Sequence, residues 1–135
     1  MRVVAEHDPA TPRRAELIRE LVGYNLSAGP PELWTFVGFY ALDDDGALAG
    51  GLHGAFEWDW LHVSHLWVRA PRRGLGGRLI AAAEAHTRAQ GRKGLFLDTL
   101  GFQARGFYEK MGFETFGTIA GAAGPHARYF LSKRV

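Results

Sequence analysis

The residues best suited to chemistry cluster between Leu61 and Gln90, LHVSHLWVRAPRRGLGGRLIAAAEAHTRAQ, an apolar strand followed by a glycine-rich basic turn and a helix. Gly74, Gly76 and Gly77 reach backbone angles closed to other residues, so successive N–H groups, that of Leu75 included, can turn toward an anion at the helix start. Arg72, Arg73 and Arg78 put fixed positive charge around the same point, and guanidinium pairs well with phosphate oxygens. The stretch therefore reads as a phosphate cradle, against the plainer reading of an ordinary turn between two elements. Two well-known glycine loops are set aside. No Gly-Lys-Ser/Thr follows Gly76, which argues against a nucleotide-hydrolysing P-loop, and Leu79 stands where a dinucleotide fingerprint wants its third small residue.

A second stretch, FYEKMGF from Phe107 to Phe113, carries a tyrosine on a helical face. By itself Tyr108 beside Phe107 and Met111 is a core residue. In context it is more: the strand, the V…GLGGRL turn, the helix, the LFLDT strand and FYEKMGF, in this order, resemble the GNAT-type N-acyltransferases from about Ala47 to the C-terminus. The resemblance implies acetyl-CoA as acyl donor, with its pyrophosphate held by Arg72, Arg73, Gly74, Leu75, Gly76, Gly77 and Arg78. It also implies that the backbone groups of Leu66, Trp67 and Val68 take the pantetheine arm and that Tyr108 protonates the departing thiolate. Pro71 departs from the pattern, standing where that family usually carries Arg or Gln, and the Val68-to-Gly74 gap is short; Arg72 or Arg73 is then the substitute cation.

Aminolysis of a thioester requires a neutral amine, a polarised carbonyl and a proton for the leaving sulfur. An alkyl ammonium with a pKa of about 10.4 leaves about one molecule in 10³ neutral at pH 7, so a base or water relay helps. The chain has no cysteine and no obvious nucleophile, which favours direct transfer in a ternary complex, with the backbone N–H of Val68 or Trp67 polarising the carbonyl. Glu57 is the leading candidate base, at a hairpin tip with Asp59; His62, His65 and water are the alternatives. Trp58 and Trp60 flank the same tip and suit either a wall for an aromatic or cationic acceptor or a dimer patch. Asp98 reads as a strand-end carboxylate bonded to nearby backbone. No metal is expected: His62 and His65 would diverge to opposite faces of a strand, and Asp43-Asp44-Asp45 lacks the distal Glu of a calcium loop.

These side chains need a frame. Arg2 to Glu6 reads as a short first strand and Thr11 to Leu26 as a helix, with Thr11 as N-cap, Pro12 at its first position, and an apolar stripe of Ala15, Ile18, Leu21 and Val22. By the resemblance, Tyr24, Asn25, Leu33 and Trp34 are candidates for lining the acceptor site, with packing as the plainer role. Thr35 to Leu42, Ala47 to Phe56 and Leu61 to Arg69 form an antiparallel meander through turns at 43–46 and 57–60. Strict alternation puts Leu61, Val63, His65 and Trp67 on one face of the third strand and His62, Ser64, Leu66 and Val68 on the other. Leu75 to Gln90 is a helix burying Leu75, Leu79, Ala82, Ala83 and His86, with Gly91 as its C-cap, and Gly94 to Leu100 returns parallel to the third strand. A short helix from Phe102 to Met111 closed by Gly112, and strands Phe113 to Ile119 and Ala127 to Val135 around a glycine-rich loop, complete the chain. The expected fold is α+β: a mixed, mostly antiparallel GNAT-like sheet of 6–7 strands with a central parallel pair, flanked by helices, in one domain over residues 1–135.

A hydrophobic share of 47% with 22% charged residues belongs to ordinary soluble proteins, and no apolar run approaches a membrane span. The N-terminus lacks the apolar core of a secretory signal and there are no cysteines, so the expected location is cytoplasmic. A net charge of +2 is too small for a nucleic-acid track. The expected partners are acetyl-CoA and a small-molecule or peptide amine, with no nucleic acid, no membrane and no metal; the tryptophan hairpin and the last strand leave a homodimer open. The alternative reading is a catalytically silent CoA-binding or interaction module.

Overall fold

The computed structural model describes residues 1–31, 34–69 and 74–135, which fall into two compact units, Met1–Glu32 and Leu33–Val135. The first unit is one helix, α1 (Pro12–Ala28), with Pro at its start. Thr11 occupies the N-cap position but gives α1 no side-chain cap, because its hydroxyl donates to the Glu6 carboxylate, which also pairs with Arg13. The expected strand at Arg2–Glu6 is not formed. A strand needs a ladder partner for its backbone, and Glu6 is instead tied to the start of α1. Within its own unit the Ala15, Ile18, Leu21, Val22 stripe has no second element to pack against.

The second unit is built on six strands: β1 (Thr35–Leu42), β2 (Leu48–Glu57), β3 (Trp60–Val68), β4 (Gly94–Leu100), β5 (Glu114–Ala123) and β6 (His126–Arg134). Their order across the sheet is β1-β2-β3-β4-β6-β5, with every neighbouring pair antiparallel except β3 and β4. The last strand is thus internal, between β4 and β5, and offers no free edge to a second copy. The Asp43–Gly46 hairpin forms as expected, with Gly46 N–H donating to Asp43 O at 2.8 Å.

Two helices join the sheet. α2 (Leu75–Ala89) buries Leu75, Leu79, Ile80, Ala83 and Thr87. The buried stripe differs from expectation by including Ile80 and Thr87 in place of Ala82 and His86; the Thr87 hydroxyl is satisfied by the Ala83 carbonyl at 2.8 Å. α3 (Arg105–Lys110) is shorter than expected and sets Tyr108 in the core cluster, with Phe107 and Met111 against it. Leu52, Leu61, Ile80, Leu95 and Leu131 lose all solvent contact, each contributing about 1.5–3 kcal/mol by burial.

One irregularity in β3 governs the site. His53 pairs with His65, but Gly54 pairs with Val63, so Ser64 is an extra residue without a partner on β2. A Cβ at position 54 would lie 2.0 Å from the His62 carbonyl oxygen, so this bulge closes only around glycine. The bulge overturns the strict alternation: Leu61 and Val63 face the core, and beyond it so do Leu66 and Val68. His65 and Trp67 turn to the other face, where His62 also lies, so the two histidines share a face that alternation would have denied them.

Candidate functional site

β3 and β4 pair only at Trp60↔Gly94, Leu61↔Leu95 and His62↔Phe96. That end is clamped by the β2–β3 hairpin. Lys93 N–H donates to Asp59 O at 2.8 Å, Lys93 Nζ sits 2.9 Å from Asp59 Oδ2, and Arg92 donates to the Trp58 carbonyl. The hydrogen bond from Lys93, with its charge, holds the Asp59 carboxyl below the usual carboxylate range. Beyond His62 the strands part, and β3 backbone groups directed toward β4 have no strand to meet.

The split opens a cavity of about 340 Å³ lined by Val63 to Trp67 of β3, Leu97 to Thr99 of β4, and Gln103, Ala104 and Tyr108. A second cavity of about 340 Å³ continues between Leu66, Trp67, Val68, the α2 start at Gly74, Gly76 and Gly77, and α3 at Ala104, Phe107 and Tyr108. Leu66, Trp67, Ala104 and Tyr108 border both. Gly74 has φ 79°, a left-handed conformation that turns the chain into α2, and neither a side-chain cap nor an acidic residue occupies the first turn. Among the described residues, the leading N–H groups of α2 therefore have no side-chain cap. Arg78 is exposed beside them. Arg72 and Arg73 lie outside the described residues. Arg69, part of the basic cluster in sequence, is spent on the β1–β2 hairpin, with Nη1 2.9 Å from Asp43 Oδ2 and a bond to Leu48 O.

Tyr108 is 7% exposed. Its ring meets Phe107 and Phe113 edge-on at 5.1 and 5.7 Å. Burial raises its phenol above the ordinary tyrosine range, which keeps the proton on the oxygen. The connection leading into α3 is fixed by two residues that the sequence reading passed over. Gln103 Oε1 accepts from Leu100 N–H at 2.7 Å and from Thr99 Oγ1 at 3.2 Å, while Ala104 N–H donates to Thr99 Oγ1 at 3.4 Å. Their only signal in sequence was a polar pair flanking the β4–α3 turn.

Of the other expected residues, Leu66 and Trp67 border both cavities and Val68 the second. Glu57 does not: it sits at the clamped end, 3.6 Å from His62 Nδ1, and lines neither cavity. His62 stacks on Phe96 at 4.7 Å. Trp60 lies under the Arg134 guanidinium at 5.4 Å, and the tip of Trp58 and Asp59 is joined to the α2–β4 connection. Asp98 borders the cleft but pairs with Arg128 at 3.1 Å instead of with backbone. Tyr24 and Asn25 belong to the first unit, Leu33 is outside the described residues, and Trp34 is exposed ahead of β1. Among the described residues no three His, Asp or Glu side chains converge as metal ligands, and no helix is long and apolar enough to cross a membrane.

A mixed sheet split at its one parallel pair, with a glycine-led helix start and a buried tyrosine at the split, defines an acyltransferase fold. The sequence pattern of the acetyltransferase (GNAT) family matches residues 7–113, and the chain belongs to that family. It is 45% identical over 97 residues to a blasticidin-S acetyltransferase from Streptomyces morookaense, spanning 70% of this chain and 69% of that protein. It is 32% identical over 130 residues to an acetyltransferase from Agrobacterium fabrum, spanning 94% of this chain and 95% of that one. The crystal structure of a putative acetyltransferase from Agrobacterium tumefaciens superposes with a TM-score of 0.88 at 30% identity, over the whole of both chains. The protein is an acetyltransferase, and acetyl-CoA is its acyl donor.

Proposed function

We propose that this acetyltransferase moves the acetyl group to the amine of a small molecule by direct attack in a ternary complex, with Tyr108 giving the proton to the departing sulfur. The observation that carries the reading is the position of Tyr108, a buried and protonated phenol bordering both cavities. The donor fits the chain's own groups. Uncapped N–H groups at Gly74 to Gly77 suit a diphosphate, with Arg78 beside them and Arg72 and Arg73 as further cations by sequence. The unpaired side of Leu66 to Val68 suits the amides of an extended arm, which can take the hydrogen bonds that β4 leaves unmade. Thioester reactivity is what the donor supplies. The protein's part is to hold the acyl carbon within reach of the acceptor nitrogen and to stop the leaving sulfur from returning by protonating it.

A small-molecule amine is favoured as acceptor because the 45% identical relative is named for one, blasticidin S. The test is a panel of amines with acetyl-CoA, containing blasticidin S, an aminoglycoside, a polyamine and a peptide with a free N-terminus, followed by thiol release and mass of the product. Acetylated amine is expected, with intersecting lines when both substrates are varied. Parallel lines would point to an acyl-enzyme and overturn direct transfer; no product and no stabilisation by CoA would overturn the whole reading.

A further inference from the structure

The clamp at one end of β3 and the bulge in its middle decide which basic groups can reach the acceptor. Glu57 and His62 are held at the paired end, against each other and against Phe96. Asp98 lies at the cleft, with one carboxylate oxygen taken by Arg128. His65 remains. The extra residue Ser64 carries its imidazole onto the outward face of β3, and it lines the same cavity as Tyr108.

That imidazole is braced. Its ring lies 4.6 Å from the ring of His53, which in turn meets Phe36 at 5.6 Å. Ser64 Oγ donates to the His53 carbonyl at 3.2 Å and lies 3.3 Å from His53 Nδ1. The serine thus fixes the neighbour, and the neighbour's ring restricts where His65 can rotate. Among the described residues, the titratable groups around His65 are His53 on β2, Asp98 on β4 with its partner Arg128 on β6, and Tyr108 on α3; on β1, Phe36 meets His53 and the Tyr40 hydroxyl lies over Gly38, the residue paired with His53.

We propose that His65 is the base of the transfer and His53 its positioning residue, a reading that rests on direct attack as described above. The acceptor enters as an ammonium. One N–H bond breaks, its electrons stay on nitrogen, and the proton passes to the unprotonated imidazole of His65. The freed lone pair bonds to the acyl carbon. As the carbon–sulfur bond breaks, sulfur leaves with its electron pair and takes the Tyr108 proton, and the surplus proton on the new amide nitrogen returns to the phenolate. His65 then releases its proton to water, so one proton leaves per turnover.

The pH dependence of kcat/KM separates this from its rivals. With a base in place the wild-type profile rises and then levels; without one, the rate must keep climbing with the supply of free amine. His65→Gln is expected to lose about 10²-fold or more at neutral pH and to climb where the wild type is level, while CoA still raises its Tm. His65→Asn is the second variant should the first fail to fold. His53→Asn is expected to move the pH at which the profile levels. A level profile at wild-type rate in a folded His65 variant would overturn the proposal alone, and so would loss of the plateau in Glu57→Gln. No product from the wild type with any amine would overturn the transfer reading and this proposal together.

Discussion

Tyr108→Phe removes one oxygen from the middle of the site and little else. The ring remains between Phe107 and Phe113 with its edge-on contacts at 5.1 and 5.7 Å, and the backbone bond from Tyr108 N–H to Ala104 O at 3.2 Å is untouched. Volume and packing barely change, so the folded state should keep its stability within about 1 kcal/mol, the scale of a single net hydrogen bond. Turnover should not survive as well. General acid catalysis contributes about 10²–10⁴-fold, which is about 2.7–5.4 kcal/mol of barrier at 1.36 kcal/mol per decade. Water can deliver a proton to the thiolate in place of the phenol, which pulls the expectation toward the lower end. The measurement is kcat from thiol release at saturating amine and acetyl-CoA, beside the rise in Tm caused by CoA. The reasoning predicts a large fall in kcat with the CoA response intact. A kcat within about threefold of wild type, less than 1 kcal/mol of barrier, would refute Tyr108 as the acid, and a lost CoA response would make it a binding residue instead.

The Arg72→Ala, Arg73→Ala double variant should weaken CoA binding about tenfold or more, lowering the stabilisation at fixed CoA by about 1.4 kcal/mol; an unchanged Tm shift would remove both arginines from the cradle. Gly54→Ala forces a Cβ to within 2.0 Å of the His62 carbonyl and should destabilise by about 1–3 kcal/mol as the bulge is pushed open, read as a lower midpoint in urea. Alkali should weaken the fold through Tyr108. Its phenol titrates above the ordinary 10.0 in the native state, so from about pH 10 upward the unfolded chain loses this proton while the native chain keeps it. Stability is full below that pH and falls above it, and Tyr108→Phe should flatten the decline; an equally steep fall in the variant would assign it elsewhere.

Order and kind of the main elements could be read from residues alone because their causes are local. Thr35 to Leu42 alternates and is dense in branched and aromatic residues, Asp43 to Gly46 is turn chemistry, and the spacing after Gly74 is helical; β1 and β4 keep the expected bounds. The glycine-led start of α2 and the FYEKMGF helix were legible for the same reason, since a helix start and the face of one short helix are set by adjacent residues. Arg2 to Glu6 failed as a strand because its composition cannot supply a partner.

By itself, then, the chain determined where it turns, where it coils and which short motifs stand beside one another along it. Tertiary structure decided which side chains meet. Ser64 has no partner because of how β2 pairs with β3, and one unpaired residue reverses every side chain after it. That reversal brought His65 beside His53 across a gap of 12 residues (65 − 53). The clamp of Asp59 on Lys93 held Glu57 at the paired end of β3, outside both cavities. Register and strand divergence depend on contacts between distant segments, and no local spacing encodes them.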